Sequence, residues 1–375
     1  MTDRGSAECR VQSDELKTNS LSVHRSLFIV HRWFRNRTQV GLLTARRVLL
    51  IVLGLAGALL LTMACALCFG SESISLAVVY RTVVGWIQGR ETTTPPVEAT
   101  ILFDIRLPRI ILGAVTGAAL SVAGAMLQAL LRNPLAEPYV LGISSGAAAG
   151  ALVALIALPM VALAQPLAAF VGAMLTMSLI YLMSRTKAGV STERLVLAGV
   201  IMASFIWSAI ASLLAIVHDP SLRGITFWLH GDLSSGGHGL LGIVSLAVLG
   251  AVVTGTLQAR SLNVLMVGEE DALILGVHVE RVKTFSYVLA SLLTGLVVAV
   301  SGSVGYVGLI VPHVVRLGWG SDNRLVIPAA ALVGGMFVVL ADVVARTAIA
   351  PRELPVGAVT ALVGAPVFIY LLRKK

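Results

Sequence analysis

The stretch IILGAVTGAALSVAGAMLQALL, Ile110–Leu131, runs for 22 residues without a charged side chain. An α-helix of that length crosses the hydrocarbon core of a bilayer. Gly113 and Gly117 stand four apart within it, and Gly142, Gly146 and Gly150 repeat the spacing on the next apolar run. Small residues at that interval let helix backbones approach closely where lipid offers no hydrophobic drive. Comparable runs recur at Val48–Phe69, Leu195–Val217 and Leu325–Val344. None alternates with a period of two, which argues against a barrel.

The rest of the composition agrees. Hydrophobic residues make up 57% of the 375 and charged residues 13%, against about a quarter charged in soluble domains. The net charge is +9. No basic cluster is interleaved with aromatics, so nucleic acid is not an expected partner, and the excess fits loop Lys and Arg setting orientation against membrane lipid. Cys65 and Cys68 form a C-x-x-C inside the first apolar run and, with Cys9, imply no disulfide framework; a free Cys behaves as a small hydrophobe. Residues 1–45 are largely polar and basic, with Arg25, Arg32, Arg35 and Arg37. The first apolar run is too long and too far along the chain for a signal peptide. The expected organisation is a cytoplasmic extension, 1–45, followed by a transmembrane domain, 46–375.

The fold class expected is all-α, a polytopic membrane helical bundle of about ten spans. These are placed at 48–69, 109–131, 140–158, 166–184, 194–217, 239–258, 284–300, 306–318, 325–347 and 356–372. Arg46, Arg47, Arg132, Arg185, Lys187, Arg260, Arg281, Lys283, Arg324 and the terminal Arg373, Lys374 and Lys375 then share one side. By the positive-inside bias that side is the cytoplasm, and both termini lie there. Arg81, Arg90, Arg106, Arg109, Arg223, Arg346 and Arg352 remain outside. Asn133-Pro134, Glu137-Pro138, Gly302, Gly305, Gly308 and Pro312 interrupt helices, which membranes tolerate only where protein or a water-lined cavity covers the freed backbone groups.

Several chemistries lack their motifs. The sequence contains no G-x-x-x-x-G-K-[ST] for ATP phosphates, no H-E-x-x-H and no G-x-S-x-G. No catalytic residue, bound cofactor or metal site is expected. Asp342 and His313, with Gln128 third, are the polar candidates for an intramembrane site. Asp342 precedes Arg346 by four, a spacing that pairs them on one helix face. His313 reads first as a packing residue. His218, His230 and His238 lie in or beside one outer loop without ligand spacing. An ion-coupled transporter would call for repeats and several intramembrane acids, and a membrane enzyme for a richer polar inventory.

Four segments carry a resemblance. Residues 106–146 read Arg-Leu-Pro-Arg, a Gly/Ala-rich helix, QALLRNPLAEP from Gln128, then LGISSG from Leu141. Val267–Val277 reads VGEEDALILGV, Gly305–Arg316 reads GYVGLIVPHVVR, and Glu353–Pro366 reads ELPVGAVTALVGAP. Together they resemble the FecCD/BtuC-type family of ABC importer permeases for iron–siderophores, haem and cobalamin, over about residues 48–375. The resemblance implies ten helices per subunit in the bacterial cytoplasmic (inner) membrane. It also implies a second permease subunit (a copy or a paralogue), two separate ATPase subunits that use the ATP, and an outer substrate-binding protein. The expected cargo is a ferric siderophore, with haem or cobalamin as the alternative. Gly268, Glu269, Glu270, Asp271, Ala272, Leu275, Gly276 and Val277 match the segment that couples to the ATPase, where three acids also suit a helix N-terminus. Arg106, Arg109 and Arg346 match arginines that meet glutamates of the binding protein. Gln128, Gly142, Ser144, Ser145, Gly146, Gly305, Pro312 and His313 are expected along the pathway.

Overall fold

The computed structural model describes residues 44–70, 74–88, 96–158, 160–161, 163–186, 189–216, 222–234 and 237–373. Nearly all of them belong to Val48–Lys375, the second of two compact units, the first being Met1–Arg47. The expected basic extension, apart from its last two residues, lies outside the described residues. So do Cys9, Arg90, Lys187, His218, Lys374 and Lys375, and the side chains of Arg223 and His238.

Helices account for almost everything described. They are α1 (Ala45–Cys68), α2 (Leu76–Ile87), α3 (Pro96–Thr100), α4 (Leu107–Leu130), α5 (Ile143–Ala157), α6 (Ala164–Ser184) and α7 (Thr192–Ile216). Then come α8 (Leu222–Leu229), α9 (Leu241–Leu257), α10 (Ala259–Val267), α11 (Glu269–Ile274), α12 (Val279–Ser301), α13 (Val307–Trp319), α14 (Asn323–Thr347) and α15 (Val356–Arg373). A two-stranded antiparallel hairpin, β1 (Arg185–Thr186) with β2 (Gly189–Val190), joins α6 to α7.

Each of the ten expected spans contains a helix, but they differ in reach. Among the described residues six helical stretches are long and apolar enough to cross a membrane alone: α1, Val97–Leu130, α6, α7, α12 and α14. The pair α9 and α10, bent by 51° at their junction, makes a seventh if counted as one. The shorter apolar helices are α5, α13 and α15. Two of them have local reasons. Gly142 at φ +79° sets the start of α5, while Tyr306 at φ +68° and Gly320 at φ +98° bracket α13. The left-handed backbone at those three positions cannot continue a right-handed helix.

The bundle is built around α4, which packs on α14, α12, α13 and α9. Its small residues make this possible. A side chain at Gly117 would collide with the Gly334 carbonyl of α14, and one at Gly124 with the Gly308 carbonyl of α13. Gly146 and Gly172 bring α5 and α6 together in the same way. The periphery is the inverse. Leu60 and Leu61 of α1, Phe205 of α7, and Leu246 and Leu257 of α9 are each more than 60% exposed. An apolar surface on that scale marks a protein whose solvent is lipid or a partner.

A π-helical stretch, Ile101–Arg106, leads into α4. Pro108 has no N–H to donate back to Asp104, and the Leu107 N–H reaches Leu102 instead, one residue further than an α-helix allows. The wider turn sits directly before Arg106 and Arg109.

Candidate functional site

Charged side chains gather at the two ends of α4. Arg109 and Arg132 are separated by about 35 Å along the helix.

At the Arg109 end four ionised groups pair. Arg109 donates from Nε to Asp342 Oδ1 at 2.9 Å and from Nη1 to Glu353 Oε2 at 2.8 Å. Arg346 Nε lies 3.0 Å from Asp342 Oδ2, the expected i,i+4 pair. Arg346 also donates to the Phe69 carbonyl and Arg106 to the Leu67 carbonyl, both at the end of α1. The cluster therefore pins α1, α4, α14 and the turn after α14. Arg106, Arg109 and Arg346 are only 4%, 7% and 3% exposed. In this chain alone the three guanidiniums are occupied by its own acceptors, which describes their resting contacts and leaves their expected meeting with the binding protein a proposal. Arg352 nearby is exposed.

The expected pathway residues separate into three groups. Gln128 and Pro312 form one structural device. Pro312 has no N–H for the Gly308 carbonyl one turn before it, and Gln128 Nε2 donates to the Gly308 and Leu309 carbonyls at 3.2 Å each. Gln128 Oε1 in turn accepts from Arg316. A buried carbonyl without a donor costs ~1–3 kcal/mol. Gln128→Leu is therefore expected to cost about 2–3 kcal/mol, read as a lower unfolding temperature in detergent. Gly142, Ser144, Ser145 and Gly146 belong to the α5 start, buried against α6 and α7, with Ser145 donating to the Gly142 carbonyl at 2.8 Å. Gly142 and Gly146 turn their small surfaces to α7 and α6 respectively. His313 is buried on α13. Gly305 is half-buried against Tyr139, whose neighbour Val140 is exposed.

Glu137 escaped the sequence reading. It lies in the turn between α4 and α5, outside the spanning helices, and accepts from the Tyr306 N–H at 2.5 Å where α13 begins. Burial pushes its carboxyl up to about 7, against the opposing pull of that hydrogen bond. Its signal was the N-P-x-x-E-P run, which reads only as a turn without its distant partner.

At the Arg132 end lies the expected coupling segment. Gly268 is extended, Glu269–Ile274 form α11, and Gly276 at φ +77° ends the turn that follows. Ala272 is fully buried beneath it, whereas Leu273, Ile274 and Leu275 are 62%, 82% and 67% exposed. Glu270 and Asp271 are exposed, and Val277 is half-buried. The segment is tied down on both sides. Asn263 of α10 donates to Asp322 at 2.7 Å and accepts from the Asn323 N–H at 2.8 Å. Glu269 pairs with Lys283 at 2.6 Å. Lys283 is buried. Among the described residues no group of three His, Cys, Asp or Glu side chains is arranged to hold a metal ion. His230 turns its Nδ1 to the Thr226 carbonyl at 2.8 Å.

Comparison with known proteins agrees with this architecture. The model of the FecCD transport family matches residues 48–374. The cobalamin import system permease BtuC of Halobacterium salinarum is 44% identical, over 75% of this chain and 75% of its own. The hemin transport system permease HmuU of Yersinia pestis is 39% identical, over 84% of this chain and 94% of its own. Among solved structures, a metal-chelate type ABC transporter in an inward-facing conformation superposes with a TM-score of 0.75 at 29% identity, covering 87% of this chain and 99% of that one. With the four sequence signatures on one helical bundle and the family model matching nearly all of it, the chain belongs to the FecCD transport family of ABC importer permeases.

Proposed function

We propose that this permease carries a ferric siderophore across the bacterial inner membrane by alternating access, driven by ATP that separate subunits hydrolyse. The observation that carries the coupling is the tip of α11. Three consecutive apolar side chains, Leu273, Ile274 and Leu275, stand exposed beside Glu270 and Asp271 on an element anchored through Ala272. An apolar patch rimmed by acids on a polar end of a membrane protein suits a protein partner. We assign it to the ATPase subunit; on that reading the Arg132 end and both termini face the cytoplasm, and we read all ten helical segments as spans. Ile274→Glu is expected to weaken ATPase binding by about 30-fold or more, the scale of a central apolar anchor, while the purified permease stays monodisperse. Unchanged ATPase binding would remove α11 as the coupling element.

The Arg109 end then faces the binding protein, with the charge cluster as its floor and Arg352 as its exposed cation. The permease works as a pair around a central pathway to which Gly305 and His313 belong. The relatives' names cover cobalamin and hemin. Growth of a deletion strain on ferric siderophores, haemin and cobalamin separates these cargoes. Loss on a ferric siderophore supports the proposal, and loss only on haemin or cobalamin moves the cargo to that chelate.

A further inference from the structure

We propose that Lys283 is the positioning residue that transmits movement of α11 to α12 and to the turn after α4; the inference rests on the coupling role assigned to α11. Lys283 stands in the second turn of α12 and is 5% exposed. Its Nζ lies 2.6 Å from Glu269 Oε2 and 3.7 Å from Glu280 Oε1. It also donates to the Val190 carbonyl of β2 at 3.3 Å. Glu280 accepts from the Val190 N–H at 3.0 Å, closing a ring with the hairpin. Glu269 Oε1 continues the chain to Arg132 at 3.5 Å. A single buried ammonium thus joins the coupling helix, the long α12, the α6–α7 hairpin and, through Glu269, the end of the central helix.

A buried ammonium is costly unless paired, so Lys283 follows its carboxylates when they move. Of the three acids in α11 only Glu269 faces the bundle, since Glu270 and Asp271 are exposed. Any displacement of α11 therefore reaches the bundle's charges through Glu269. A polar cleft of about 670 Å³ beside the pair, lined by Arg132, Ser191, Glu193 and Lys283 among others, leaves room for the displacement. Beside the packing of Ala272, the ion pair adds a direct link through which a pull on α11 becomes a pull on α12.

The test uses the full transporter, with ATPase and binding protein, in proteoliposomes. ATP hydrolysis is measured beside uptake of ferric hydroxamate, haemin and cyanocobalamin. Lys283→Met is expected to keep hydrolysis within about twofold while uptake falls about tenfold, the scale of energetic coupling between linked sites. Lys283→Arg should retain uptake. Glu269→Gln, which keeps the shape but removes the charge partner, should lower uptake in the same way. Hydrolysis and uptake falling in proportion in Lys283→Met, or Lys283→Arg failing to retain uptake, would make Lys283 a structural residue and overturn the proposal. Unchanged uptake in Lys283→Met would also overturn it. Failure of the unaltered complex to take up any of the three chelates would instead sink the functional reading beneath it.

Discussion

Asp342→Ala is expected to destabilise the permease by about 3–5 kcal/mol, the cost of leaving buried charge without its partner. The carboxylate, 1% exposed, lies between two guanidiniums, Arg109 at 2.9 Å and Arg346 at 3.0 Å. Without it two cations would face each other under cover, with Glu353 left to serve Arg109 alone. Thermal unfolding in detergent should show a large loss for Asp342→Ala. Glu353→Gln should show a much smaller one, because Glu353 is 31% exposed and solvent screens its pair. Adding Arg346→Met to Asp342→Ala should recover part of the stability, since it removes one of the unpaired charges. Equal losses for Asp342→Ala and Glu353→Gln would show that the cluster is not held by its buried carboxylate.

Gly117→Leu is expected to cost about 3 kcal/mol or more, by forcing α4 and α14 apart along their whole seam. Even one added carbon at Gly117 would fall on the Gly334 carbonyl, and backbone cannot rotate away as a flexible side chain can. Gly54 in α1 provides the control. A carbon added there meets nothing within 4 Å, so Gly54→Ala should be neutral or stabilising by up to about 1 kcal/mol through helix propensity alone. Chromatographic recovery of intact permease after graded heating would compare the two. Similar heat resistance in both would mean that the α4–α14 contact yields more readily than its geometry implies.

The helices were legible because their cause is local. Apolar runs of sufficient length, broken by Gly and Pro, read directly as membrane helices, and the short α11 was legible as acids followed by Gly276, its coupling role being what the resemblance implies. The Asp342–Arg346 pair was legible for the same reason, being one turn apart on one helix. What escaped depends on partners far away in the chain. The carbonyl that Gln128 serves is left by Pro312, 184 positions on, so that contact could not be read from either segment alone. The acceptors of Arg106 and Arg109 were not legible either, because charge alone does not reveal which carbonyls and carboxylates a fold will bring to a guanidinium. The bond of Lys283 to Glu269 was not legible, since it follows from the return of α12 beside α11.

The central helix also has a history in time. Arg109 meets Asp342 across 233 residues of chain, and the helices that cover α4 most closely, α12, α13 and α14, are all made after it. At a synthesis rate of ~5–20 residues per second, α4 waits roughly 10–50 s for the carboxylate that neutralises its arginine. During that interval its glycine grooves and its charge lie open in a nascent chain. Biogenesis of this permease therefore depends on whatever shelters α4 until α14 emerges, and a chain cut short before α14 would present to quality control the very surfaces that the finished bundle conceals.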